Sequence, residues 1–121
     1  MTIPVTAAFA HLEGALVATV LGDMDPDGWN GLRQSLLDEV QHRGVRALVV
    51  DLSAVRVMDP DDFEHLRRTL KMAAVLGAPA VLTGVSAALA AALASLGANL
   101  EGVVGEATVE RALDTARRAS S

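Results

Sequence analysis

The stretch "RALVVDLSAVRVMDPDDFEHL", Arg46 to Leu66, decides how this chain folds. Its first half, "RALVVDLS", has few polar residues and reads as a strand in the middle of a sheet, where both faces are covered. Its second half reads as the start of a helix. Asp59 is a good N-cap, Pro60 suits the first helical position, and Asp61 and Asp62 fall where the helix dipole favours anions. Phe63, Leu66, Leu70 and Ala73 then supply one apolar stripe. Arg67, Arg68 and Lys71 come later, where cations are better tolerated, and Gly77 closes the helix.

Working outward, the same signals recur. Upstream, strands are expected at Val5 to Phe9 and Ala15 to Leu21, with Gly14 near the turn between them. In "GDMDPDGW", Asp25-Pro26-Asp27 repeats the chemistry of Asp59-Pro60-Asp61 and starts a helix. Trp29, Leu32, Leu36 and Val40 define its buried face, and Gly44 ends it. Downstream, "PAVLT" is a short strand over Ala80 to Thr83. A helix follows from Ser86 to Leu96, with Leu89, Leu93 and Leu96 inward. Leu100 to Val104 is expected to form a short last strand. Thr108 caps a final helix buried through Val109, Ala112, Leu113 and Ala116, and "RRASS" is expected to fray. Strands alternating with helices predict an α/β sheet of four or five strands, parallel apart from an N-terminal hairpin, with about four helices. The expected organisation is a single domain over 1–121, with 118–121 flexible.

Bulk properties narrow the function. A chain of 121 residues suits one core, and 51% apolar residues supply it, although much of that share is alanine. Phe9, Trp29 and Phe63 are the only aromatics, which argues against a site of stacked rings. A net charge of −5, with no basic run longer than a pair, argues against nucleic acid as a partner. With no cysteine, disulfides and thiolate catalysis are excluded. The N-terminal residues lack the pattern of a signal peptide, so a cytoplasmic protein is expected. Met72 to Leu100 carries no charge and exceeds the roughly 20 residues that span a bilayer. It is broken by "LGAP", "TGVS" and "LGAN", however, so it reads as core and direct membrane insertion is not expected.

No catalytic constellation assembles. Asp61 and Asp62 are adjacent on a helix and point about 100° apart. Capping and dipole compensation explain Asp59, Asp61 and Asp62 without a metal. His11, His42 and His65 are scattered and follow no zinc-binding pattern, so no metal site is expected. The glycines form neither standard nucleotide cradle, and no cofactor is expected. Thr83, Gly84 and Ser86 stand at a strand end before a helix, which suits an N-cap turn and could also hold an anion. "GVS" is not a nucleophile elbow, since Ala88 replaces the second glycine. The protein is not expected to be an enzyme.

Taken together, "VVDLSAVRVMD" before a helix, "LGAPAVLTGVS", "ALASLGANLEGV" and "ATVERALDTA" resemble the STAS family of anti-sigma-factor antagonists and transporter domains. The likeness runs from about Ile3 to Ala116 and is greatest to the small single-domain stressosome scaffolds of the RsbS type. It implies a bacterial, non-catalytic regulator that acts in signal transduction by protein–protein interaction in a partner-switching or stressosome-like system. It also implies a switch kinase or another STAS scaffold as partner, and a homo-oligomer or larger assembly. In that family the phosphoacceptor directly follows the aspartate corresponding to Asp59. Here that position is Pro60, so the resemblance implies no phosphoacceptor. A second acceptor of longer scaffolds falls near Ala92. Ser53, at the end of a buried strand, and Thr69, inside a helix, are not expected to substitute. The carboxylates of Asp61 and Asp62 either imitate a phosphorylated state or only cap the helix. The expected partner-binding surface is Met58, Asp59, Pro60, Asp61, Asp62 and His65, with the turns that carry Asp25 and Thr83 to Ser86. The alternatives are the STAS subunit of a lipid or anion transporter, and a small-ligand or nucleotide sensor.

Overall fold

The computed structural model describes residues 6–120. A hairpin of β1 (Ala7–Leu12) and β2 (Ala15–Val20) leads into α1 (Pro26–His42). Then follow β3 (Ala47–Asp51), α2 (Pro60–Val75), β4 (Ala80–Thr83), α3 (Ala87–Ser95), β5 (Gly105–Glu106) and α4 (Val109–Ser120). The five strands lie in sequence order, β1 antiparallel to β2 and every later pair parallel. The strand read from "RALVVDLS" is the central one.

This order decides which face each helix covers. Each parallel crossover steps the same way along the sheet, and such crossovers are right-handed. α1, α2 and α3 therefore share one face, over Leu16, Ala18 and Val20 of β2, Leu48 and Val50 of β3 and Leu82 of β4. The alternate residues Ala15, Val17, Ala47, Val49 and Val81 point the other way and are covered by Ala112 and Ala116 of α4. Burial on both faces is why the central strands carry no polar alternation. Within 72–100, the uncharged run is the end of α2, then β4 and α3. No helix among the described residues is long and apolar enough to cross a membrane.

Several boundaries differ from the sequence expectation, each for a local reason. β1 runs to Leu12 rather than Phe9, because Glu13 and Gly14 close a two-residue turn with φ of +48° and +82°. Both residues of such a hairpin turn take positive φ, and glutamate at one of them hides the turn signal. Val5 lies outside the described residues. Leu96, expected inward, is 65% exposed. It follows the last helical residue, and Gly97 at φ +79° turns the chain away. The last strand is Gly105–Glu106, not Leu100 to Val104. Asn99 accepts the Glu101 N–H at 2.9 Å and Gly102 takes φ +77°, so 99–102 form turns and Leu100 and Val104 stay exposed. α4 is capped by Thr108, whose Oγ1 accepts the Arg111 N–H at 3.2 Å. The helix continues through Arg117 and Arg118 to Ser120.

Candidate functional site

Parallel strands bring their C-terminal ends to one edge of the sheet, and the loops that leave them gather there. Those loops are β2–α1 (21–25), β3–α2 (52–59) and β4–α3 (84–86). Each ends in the capping residue expected from the sequence. Asp25 accepts the Gly28 N–H at 2.8 Å, Asp59 the Asp61 N–H at 2.7 Å, and Ser86 the Leu89 N–H at 3.0 Å. Three helix N-termini thus share one end of the molecule, with Pro26 and Pro60 opening two of them.

Long-range bonds tie the loops together, and one local bond shapes the turn after β3. Asp23 Oδ1 accepts the N–H groups of Arg56 at 2.7 Å and Val57 at 3.1 Å, across 33 and 34 residues of sequence. The Leu52 N–H donates to Thr83 O at 2.9 Å, and the Ser53 N–H to Asp51 Oδ1 at 2.9 Å. Gly84, at φ +77°, lies against this turn. The Asp51–Ser53 bond is local, but the contacts of Asp23 and the Leu52–Thr83 bond have no local sequence signal, and Asp23 was missed as a structural residue.

The arrangement separates the expected site residues. Asp25, Asp59, Asp61, His65 and Ser86 are exposed, and Pro60 and Asp62 half-buried. Met58 and Thr83 are instead buried. Met58 packs in the main core under the loop, and Thr83 ends the inner strand β4, so neither side chain is presented to a partner. Val57, beside Met58, is 71% exposed and forms an apolar tip among the acids. Ser53 is also exposed rather than the end of a buried strand, since β3 stops at Asp51.

The carboxylates are not equivalent. Partial burial, then the charge of Asp59, pushes the Asp62 carboxyl up; Asp61 and Asp25 add to this and His65 opposes it. A raised carboxyl pKa means that ionising Asp62 is less favourable in the folded chain than in the unfolded one. The backbone N–H groups of Arg56 and Val57 hold Asp23 below the usual aspartate range. Glu64 is held down to about 2, first by its hydrogen bonds from Arg67. Arg67 grips Glu64 with Nε at 2.8 Å and Nη2 at 2.7 Å, and reaches Glu101 O at 3.1 Å. Read in sequence as a late-helix cation, Arg67 is buried and ties α2 to the turn before β5. Among the described residues no group of three or more His, Cys, Asp or Glu is placed to hold a metal ion. The site offers charge, an apolar tip and a fixed loop shape.

Asp23 gives a direct test of that shape. Its folded pKa lies below its unfolded value, so its support of the loop is complete above the unfolded pKa and is lost as pH falls through the folded one. Asp23→Ala at neutral pH is expected to accelerate amide exchange at Arg56 and Val57 while β3 stays protected. Exchange measured by NMR and corrected for intrinsic rates checks this. Unchanged protection at both amides would show that the loop holds without Asp23.

The model of the STAS domain matches residues 7–116. The chain belongs to the STAS domain family. It is 23% identical over 104 residues to the RsbT co-antagonist protein RsbRA of Bacillus subtilis, covering 86% of this chain and 38% of that one. The STAS chain thus spans well under half the length of that relative. Its fold is similar to that of RsbS from Moorella thermoacetica, solved as a serine-to-glutamate variant. The two superpose with a TM-score of 0.78 at 24% identity, covering 94% and 97% of the chains. A chain of the stressosome, described as a signal integration and transduction hub, matches with a TM-score of 0.70 at 23% identity, covering 93% and 98%. At these identities the likeness to solved structures is one of fold.

Proposed function

We propose that this STAS protein is a cytoplasmic, non-catalytic regulator that works by docking on protein partners in a partner-switching or stressosome-like system, and that its phosphorylation switch is absent. The observation that carries the reading is Pro60 at the first position of α2, directly after the capping Asp59. In the resemblance described above, this is where the family's acceptor hydroxyl stands. The similarity to proteins named RsbRA and RsbS supports the same reading.

The acids extend it. A phosphoserine at a helix N-terminus brings about −1.5 to −2 charges. Asp61 and Asp62 place two carboxylates at the same helix end permanently. Neither is the capping acceptor, a role taken by Asp59, and Asp62 is partly buried beside like charges. Two carboxylates in the first turn beyond the capping residue give a partner a fixed negative charge to read. This favours imitation of a phosphorylated state, presented with Asp59, His65, Asp25 and Ser86 around the Val57 tip.

The test uses a switch kinase of the partner-switching type. Wild type and Pro60→Ser are each incubated with kinase and ATP, then examined by intact mass and site mapping. The expected result is no phosphate on wild type and one on Ser at position 60 of the variant. Phosphate on wild type at the exposed Ser53 would sink the reading. Thr69 is shielded, being buried with its hydroxyl donating to His65 O at 2.8 Å.

A further inference from the structure

α1 and α2 pack side by side with the same polarity, because both cross from the C-terminal end of one parallel strand to the start of the next. Along α2 the charge separates, with acids at its start and cations farther on, whereas α1 carries Asp38 and Glu39 beyond Arg33. Asp25, Asp27, Asp59, Asp61 and Asp62 crowd the end where both helices begin. Farther along, Arg33 from α1 and Arg67, Arg68 and Lys71 from α2 line an open groove of about 470 Å³, with Met72 and Val75 beside them. Arg67 and Arg68 share the one carboxylate of Glu64. Arg33 and Lys71 have no ion pair or hydrogen bond to any described residue. Val75 is 81% exposed and Met72 43%, a large apolar area for a helix surface with nothing over it.

We propose that this groove receives the acidic end of a second copy of the same chain, in a head-to-tail contact. The complementarity is twofold. Asp59 and Asp61 of one copy face the unpaired Arg33 and Lys71 of the next. The exposed Val57 just before those acids meets the exposed Met72 and Val75. Unpaired cations around an apolar floor match acids around an apolar tip, and one molecule carries both. A bilayer is flat and offers no such tip, and the net charge of −5 opposes approach to an anionic surface. The contact is heterologous, so each added copy leaves one free groove and one free acidic end, and association continues to a ring or a chain. Docking also covers the acidic end, so assembly and capture of any other partner at that end exclude one another.

The test needs only the purified protein, so it is independent of any kinase. Sedimentation velocity of wild type should show species larger than the monomer at low ionic strength, shrinking as salt screens the exposed charges. Lys71→Glu disables the groove and Asp61→Lys the acidic end. Each alone should sediment as a monomer, with circular dichroism showing an intact fold. Mixed, they should form a species of two chains and nothing larger, because one working groove meets one working end and both outer ends are dead. The proposal is overturned by a wild type that stays monomeric at every salt and concentration tested. It is also overturned by single variants that assemble like wild type, by a mixture that stays monomeric, or by a groove that captures only anionic vesicles.

Discussion

Leu93→Ala should remove about 2–5 kcal/mol of stability, whereas Leu96→Ala, three residues on, should change it by less than about 0.5 kcal/mol. Leu93 is 1% exposed and packs under α3 in the main core. Truncating it loses the transfer free energy of its methyl groups and leaves a cavity, because α3 is anchored at both ends and cannot collapse into it. The Ser86 cap holds its start, and the Ala98 N–H donates to Leu93 O at 2.9 Å beyond its end. Leu96 lies past the last turn and gives up little on truncation. Urea denaturation of the two variants separates them. Equal losses would mean that α3 is rotated from the orientation described, and that the uncharged segment packs differently.

Gly84→Ala is the second large effect, expected at about 3 kcal/mol or more from left-handed backbone strain and overpacking together. A methyl group on Gly84 would fall 2.6 Å from the Ser53 N, 2.9 Å from Ser53 Cα and 2.6 Å from Asp51 Oδ1. Two of these are backbone atoms, and the turn cannot retreat without breaking the Asp51–Ser53 and Leu52–Thr83 bonds. Gly44→Ala is the control. Gly44 has φ +62° and open space around its Cβ position, so it reports the backbone strain alone, about 1–2 kcal/mol. A Gly84 variant no worse than the Gly44 variant would show that the β4–α3 turn does not press on the β3–α2 loop. Since that loop carries Val57 and Asp59, a confirmed clash also predicts a displacement of the surface proposed for partner docking.

The elements of this protein were legible where the signal is held by neighbours in sequence. Asp25-Pro26, Asp59-Pro60 and Ser86 each mark a helix start within four residues, and all three caps form. The apolar stripes of α1 and α2 are buried as their spacing required. Legibility failed where a residue type disguised its backbone. Glu13 at positive φ hid the end of β1, and Leu96 looked like a core leucine because only Gly97 reveals that the helix has ended.

The site divides in the same way. The chain's own order of residues determined an α/β sheet with a hairpin, a proline opening α2 after its capping aspartate, and four acids within six residues, because capping, periodicity and side-chain chemistry are local properties. Only the tertiary structure decided that Met58 and Thr83 point inward, that Asp23 pins a loop 33 residues away, and that Arg67 is buried. It also decided that α4 takes the face opposite the other helices, and that the acids of α1 and α2 meet at one end with a cationic groove behind them. Those outcomes follow from strand order and crossover handedness, which bring distant residues together. No window of sequence contains both partners of such a contact.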